Sequence, residues 1–77
     1  MNNTMLSKLY DLENGGFWTA LNELIEEIEE IGFNVDAANR EYIIVSRETD
    51  DDDEEAYQLL LGGTERTIIV KLIKEID

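Results

Sequence analysis

Apolar residues between Phe17 and Ile31 recur at steps of three and four: Phe17, Leu21, Leu24, Ile25, Ile28 and Ile31. That spacing places them on one stripe of an α-helix. At about 100° per residue, Glu23, Glu26, Glu27 and Glu30 gather on the opposite side, with Glu29 at the border. The pattern predicts an amphipathic helix over residues 16–31, closed by Gly32 as its C-cap. Trp18 falls at the edge of the apolar stripe, which fits either a half-buried core rim or an exposed anchor for a partner. Upstream, Met5, Leu6, Leu9, Tyr10 and Leu12 suit a short helix or arm over residues 1–14, capped by Asn3 or Thr4 and broken by Asn14–Gly16.

After Gly32 the period changes. Phe33 and Val35 read as a short strand, and Asp36–Arg40 as a turn. Tyr42–Arg47 is a β-branched run whose continuity suits cover on both faces. Residues 48–55 read as a polar acidic loop, Tyr57–Leu61 as a third strand, Gly62–Arg66 as a turn and Thr67–Ile73 as a fourth strand. A helix from Asp53–Glu55 through Leu61 is the competing reading, and Ile69, Leu72, Ile73 and Ile76 also have helical spacing. The β-branched run Thr67–Val70 and the double glycine favour strands. The expected fold is therefore α+β in a single domain spanning residues 1–77. Its main helix would pack on an antiparallel meander of three or four strands within residues 33–74.

Composition narrows the function classes. A 77-residue chain is one small domain, and such a core rarely supplies more than about 3–5 kcal/mol. The chain has neither cysteine nor histidine. That excludes disulfides, thiolate metal sites, Ser-His or Cys-His catalysis and a neutral-pH imidazole switch. Its five glycines build neither a phosphate loop nor a dinucleotide fingerprint. Counted from Asp50, the sixth and twelfth positions of a calcium loop would be Glu55 and Leu61, so the glycine and glutamate that such a loop needs are missing. No catalytic, metal-ligating or cofactor-binding set emerges, and the expectation is a non-enzyme without a cofactor. Acyl carrier proteins match in size and acidity, but Ser7 follows Leu6 and Ser46 follows Val45, so their Asp-Ser-Leu attachment motif is absent.

Charge changes the picture most. Nineteen acidic against six basic residues give a net charge of −13, beyond the magnitude of about 2–8 that suits a small soluble domain. It argues against direct contact with nucleic acid or an anionic membrane and favours a basic partner. No stretch approaches the ~20 apolar residues of a membrane span. Met1–Tyr10 lacks the pattern of a secretory signal, so the expected location is the cytoplasm. No Lys or Arg lies between Lys8 and Arg40, or between Arg47 and Arg66. The first gap holds Glu23, Glu26, Glu27, Glu29 and Glu30; the second holds Asp50, Asp51, Asp52, Asp53, Glu54 and Glu55. Like charges at i, i+3 and i+4 destabilise a helix by a few tenths of a kcal/mol per pair. A face needed only for solubility would offset them with lysine.

These eleven acidic residues are the candidate partner-binding site. In size, acidity and lack of catalytic residues the chain resembles the small acidic proteins that phages deploy against host defences, among them anti-CRISPR proteins and DNA-mimic inhibitors. The resemblance implies an inhibitor of a basic DNA- or RNA-binding protein, such as a CRISPR effector, restriction enzyme, glycosylase or nuclease, acting in the host cytoplasm. On that reading, reversing Glu26, Glu27 and Glu30 to lysine should abolish binding and leave the fold intact. The alternative is a small structural or adaptor domain whose acidity serves solubility. Tyr42–Arg47 and Thr67–Ile73 look apolar on both faces, which leaves a sheet face for homodimerisation.

Overall fold

A computed structural model describes residues 3–48 and 53–76 of the chain. Helix α1 spans Asn3–Asp11 and continues into a 3₁₀ turn at Leu12–Asn14. Helix α2 spans Leu21–Ile31. Strands β1 (Asn34–Ala38), β2 (Tyr42–Glu48), β3 (Glu54–Gly63) and β4 (Ile68–Ile76) form one antiparallel sheet in the order β1-β2-β3-β4. The expected α+β architecture holds, with four strands and strands rather than helices after Asp53.

Cross-strand pairing sorts the side chains onto two faces. Ile43 pairs with Leu59, Val45 with Tyr57 and Leu59 with Ile73. These residues, with Leu61, Ile68 and Val70, are buried beneath Leu9, Leu12, Trp18, Leu24 and Ile28. This inner face is the core. The outer face carries Tyr42, Ile44, the buried Ser46, Glu48, Glu54, Ala56, Gln58, Leu60, Ile69, Lys71, Leu72, Lys74 and Ile76, by the same register. No described helix lies over it. The cover on both faces expected for Tyr42–Arg47 is therefore one-sided.

The main helix starts five residues later than its apolar spacing predicts. Trp18 forms an antiparallel bridge with Ile68, with N–H···O distances of 2.8 and 2.7 Å. That pairing lays Trp18 alongside β4, and the chain then bends at Thr19 and Ala20, where Ala20 still has the φ of −143° and ψ of 147° of extended backbone, before α2 begins. In extended chain, neighbours point to opposite sides. Trp18 is therefore 8% exposed while Phe17 is 61% exposed. Phe17 matched the helical stripe only because it lies four positions before Leu21.

Two further boundaries differ for the same reason, pairing with a neighbour. Asp36–Ala38 belongs to β1 rather than to a turn, because Ala37 and Ala38 pair with Ile44 and Ile43 across a bulge at Asp36. The turn comes at Asn39, whose side-chain oxygen accepts from the N–H groups of Glu41 and Tyr42 at 2.7 and 2.9 Å. Glu54 and Glu55, expected in the loop, open β3 opposite Glu48 and Arg47.

Glycine is required at two places. Gly32 ends α2 at φ +120°, with its N–H directed at the carbonyls of Ile28 and Glu29. Gly63 opens the β3–β4 hairpin at φ +116°, where a Cβ would lie 2.3 Å from the Thr67 carbonyl oxygen. The free edge of β4 is partly closed as well. Trp18 occupies its Ile68 end, and the Glu13 carboxylate accepts the Ile73 N–H at 3.0 Å. Unpaired edge groups invite strand addition, and these contacts remove several.

α2 begins without a side-chain cap, since its N-cap is Ala20. Ala20→Asp or Ala20→Ser should supply the missing acceptor and stabilise the fold by about 0.5–2 kcal/mol. Urea unfolding monitored by circular dichroism would measure it, and an unchanged midpoint would show that Thr19 already serves that end.

Candidate functional site

α2 presents its acidic side outward as its spacing requires. Leu24 and Ile28 are buried beneath it, and Glu23, Glu26, Glu27, Glu29 and Glu30 are all exposed. Among the described residues no lysine or arginine forms an ion pair with any of the five. The last turn of α2 also lacks a basic residue, so Glu29 and Glu30 face the negative end of the helix dipole. Each such placement is unfavourable by about 0.3–1 kcal/mol.

The five are not equivalent. Glu27 accepts a hydrogen bond from the Trp18 indole N–H at 2.6 Å. A buried indole needs such an acceptor, so Glu27 helps hold α2 against the Trp18 segment. Glu23 accepts from the Thr19 hydroxyl. Glu26, Glu29 and Glu30 make no hydrogen bond or ion pair among the described residues. Glu27 and Glu30 also line an open groove of about 510 Å³ together with Lys8, Asp11, Leu12 and Ile31. Its rim mixes the carboxylates of Asp11, Glu27 and Glu30 with the Lys8 ammonium, so part of the acidic charge here already faces a cation of the same chain.

The second acidic segment is divided. Asp50, Asp51 and Asp52 lie outside the described residues. Asp53 and Glu54 are exposed. Glu55 turns to the inner face, where Arg47 contacts its Oε1 through Nε at 2.8 Å and Nη2 at 2.7 Å. The Tyr57 hydroxyl donates to the same oxygen at 3.2 Å. Arg47 is buried and its guanidinium lies 5.6 Å from the centre of the Phe33 ring. Glu55 is thus engaged within the fold. Glu54 pairs with Glu48 on the outer face, so Glu54 and Glu55 lie on opposite faces of the sheet.

The topology brings part of the two segments to one end of the molecule. α2 ends at Gly32, and two residues later Asn34 pairs with Ser46 near the end of β2. Glu29 and Glu30 therefore share that end with Glu48, Asp53 and Glu54. Among the described residues no group of three or more His, Cys, Asp or Glu is placed to hold a metal ion. No helix among them is long and apolar enough to cross a membrane.

Two features escaped the sequence reading. The exposed aromatic is Phe17, on the same side of the extended segment as Thr19, and its signal was the alternation that follows Gly15–Gly16. Glu13, which closes the β4 edge, carried no local signal. No family model, curated protein or solved structure matches this chain.

Burial raises the Tyr57 phenol above its ordinary 10.0, and the Glu55 carboxylate raises it further, against a smaller lowering by Arg47. The folded state therefore holds the Tyr57 proton more tightly than the unfolded chain. Its contribution to stability is complete below pH 10.0 and is lost as the pH rises beyond it. The stability difference between the wild type and Tyr57→Phe, measured by urea unfolding from pH 8 upward, should shift in favour of the variant above about pH 10. A difference independent of pH would contradict the assignment. Separately, Glu27→Leu should destabilise by about 1–3 kcal/mol by orphaning the Trp18 N–H, whereas Glu30→Lys should not destabilise. Equal stability of the two variants would remove the structural role of Glu27.

Proposed function

We propose that the protein is an inhibitor that occupies the nucleic-acid groove of a basic DNA- or RNA-binding protein, with the outer side of α2 standing in for phosphates. One observation carries this reading: five exposed glutamates on one helix side, none in an ion pair with a described basic residue. Their density has a physical match. Eleven residues at about 1.5 Å each make α2 about 16 Å long, or about one carboxylate per 3.3 Å, close to the ~3.4 Å per phosphate of a single DNA strand.

The arrangement is costly to the fold, through like-charge neighbours and an acidic C-terminal turn, which supports selection for something other than stability. Phe17 adds an exposed aromatic beside the start of the ridge, the residue type that anchors interfaces. The target class is a CRISPR effector, restriction enzyme, glycosylase or nuclease, met in the cytoplasm. A second reading, an adaptor domain with apolar contacts and acidity for solubility, is supported by the exposed Ile69 and Leu72 of the outer sheet face.

Salt separates the two. The wild type, used as bait in a bacterial lysate, should recover a nucleic-acid-binding protein that elutes as salt rises. Glu26→Lys, Glu29→Lys and Glu30→Lys together should weaken that recovered partner by about 100-fold or more, with the melting temperature unchanged or raised. Glu27 is kept, because its reversal would perturb Trp18. Recovery of a salt-resistant partner that the triple variant still binds would favour the adaptor reading.

A further inference from the structure

We infer that the outer face of the sheet is a self-association surface, on which two copies of this chain pack face to face about a twofold axis. The inference does not rest on the inhibitor reading, because it concerns the opposite side of the molecule from α2.

The face carries an apolar cluster. Tyr42, Ile44, Ala56, Leu60 and Ile76 are half-buried only by their neighbours, and Ile69 and Leu72 are 38% and 47% exposed. Strands with one solvated face normally alternate apolar with polar residues; here Tyr42, Leu60 and Leu72 are cross-paired on the solvated face, with Ile44 and Ile69 beside them, so the apolar positions gather over one half of it. A contiguous exposed apolar patch of this kind marks an interaction site.

Charge selects the occupant. Two molecules that each carry −13 repel one another over most of their surfaces. The outer face is the exception. Among the described outward residues of β2, β3 and β4, Lys71 and Lys74 balance Glu48 and Glu54, and the bulge residue Asp36 at the β1 edge is left over. The opposite charges also lie at opposite ends. Glu54 begins β3, while the Lys71 stem crosses Gly62 near its other end, close enough that a Cβ there would meet the lysine Cδ at 2.5 Å. A twofold axis across the strands near Gln58 brings Glu54 of each copy to Lys71 of the other, and sets Lys74, the cross-strand partner of Gln58, beside its own copy at the axis. A basic partner would find no acidic surplus on these three strands, and an acidic one would meet the field of the whole molecule. A second copy meets the apolar cluster with complementary charges at the two strand ends.

Area is sufficient. β2, β3 and β4 are seven, ten and nine residues long. At about 3.3 Å per residue and 4.8 Å between strands, the sheet face measures roughly 30 by 15–20 Å. Pairing two such faces removes on the order of 1,000–1,400 Å² in total, within reach of the range for specific interfaces. The competing route to self-association, strand addition at the β4 edge, is obstructed by the Trp18 bridge and by Glu13.

Sedimentation equilibrium of the full chain over micromolar to millimolar concentrations tests this. The mass should move from 8.9 kDa towards twice that value. Association should strengthen as salt is raised, because salt screens the repulsion between two acidic molecules. That sign is opposite to the one expected for capture of a basic partner. Leu72→Glu should weaken association by at least about tenfold, since it sets a carboxylate into an apolar contact in both copies. The paired substitutions Ile69→Thr and Leu72→Thr keep the β-propensity of β4 and should weaken it too, with circular dichroism unchanged.

An 8.9 kDa species at every concentration and salt would overturn the proposal. So would a dimer that neither variant affects, which would place the contact elsewhere. A monomer that loses a recovered partner protein on Leu72→Glu would assign the face to a heterologous partner instead.

Discussion

Two backbone hydrogen bonds between Trp18 and Ile68 carry much of the organisation of this molecule. They join residues far apart in sequence and lay the Trp18 segment along the free edge of β4. The extended backbone they impose drives the indole inward and Phe17 outward. It delays α2 to Leu21, which sets which side of that helix meets the core and where its glutamates emerge. The buried indole then needs an acceptor, and Glu27 supplies it across the start of α2. The position of the acidic ridge thus follows from a contact made at the edge of the sheet.

The acidity is distributed with more structure than its total suggests. Some carboxylates work for the fold: Glu13 on the β4 edge, Glu27 on the indole and Glu55 on Arg47. Glu26, Glu29 and Glu30 of α2 have no such employment among the described residues, and they lie beside like charges and against the helix dipole. A domain with a core this small has little stability to spare. Tolerating an unneutralised ridge implies that the inner face, with Leu9, Leu24, Ile28, Ile43, Val45 and Leu59 fully buried, is packed well enough to absorb the repulsion.

What was legible in the sequence was whatever local periodicity encodes. The stripe Leu21, Leu24, Ile25, Ile28 and Ile31, the Gly32 cap and the β-branched runs of β2 and β4 are local signals, and the α+β meander follows from them. The misplaced boundaries share a cause. Phe17–Ala20, Asp36–Ala38 and Glu54–Glu55 take their conformation from a paired neighbour, and pairing overrides propensity. The candidate site shows the same division. The exposure of Glu23, Glu26, Glu29 and Glu30 was readable from helical spacing. The engagement of Glu27 and Glu55 was not, because their partners, Trp18 and Arg47, come from other elements.

The order of the strands bears on how quickly the molecule becomes itself. Each strand pairs only with its neighbours in sequence, so the sheet is a chain of antiparallel pairs. Such pairs close short loops and form on a timescale of about microseconds, and topologies rich in near-neighbour contacts fold fast for their size. The long-range closures are those of the N-terminal third, where Trp18 reaches Ile68 and Glu13 reaches Ile73. The expected sequence of events is a meander that assembles from β1 onward and a helical layer that docks on it afterwards. On a ribosome, the two helices would emerge before the β4 edge that they dock against, and would find their place after it.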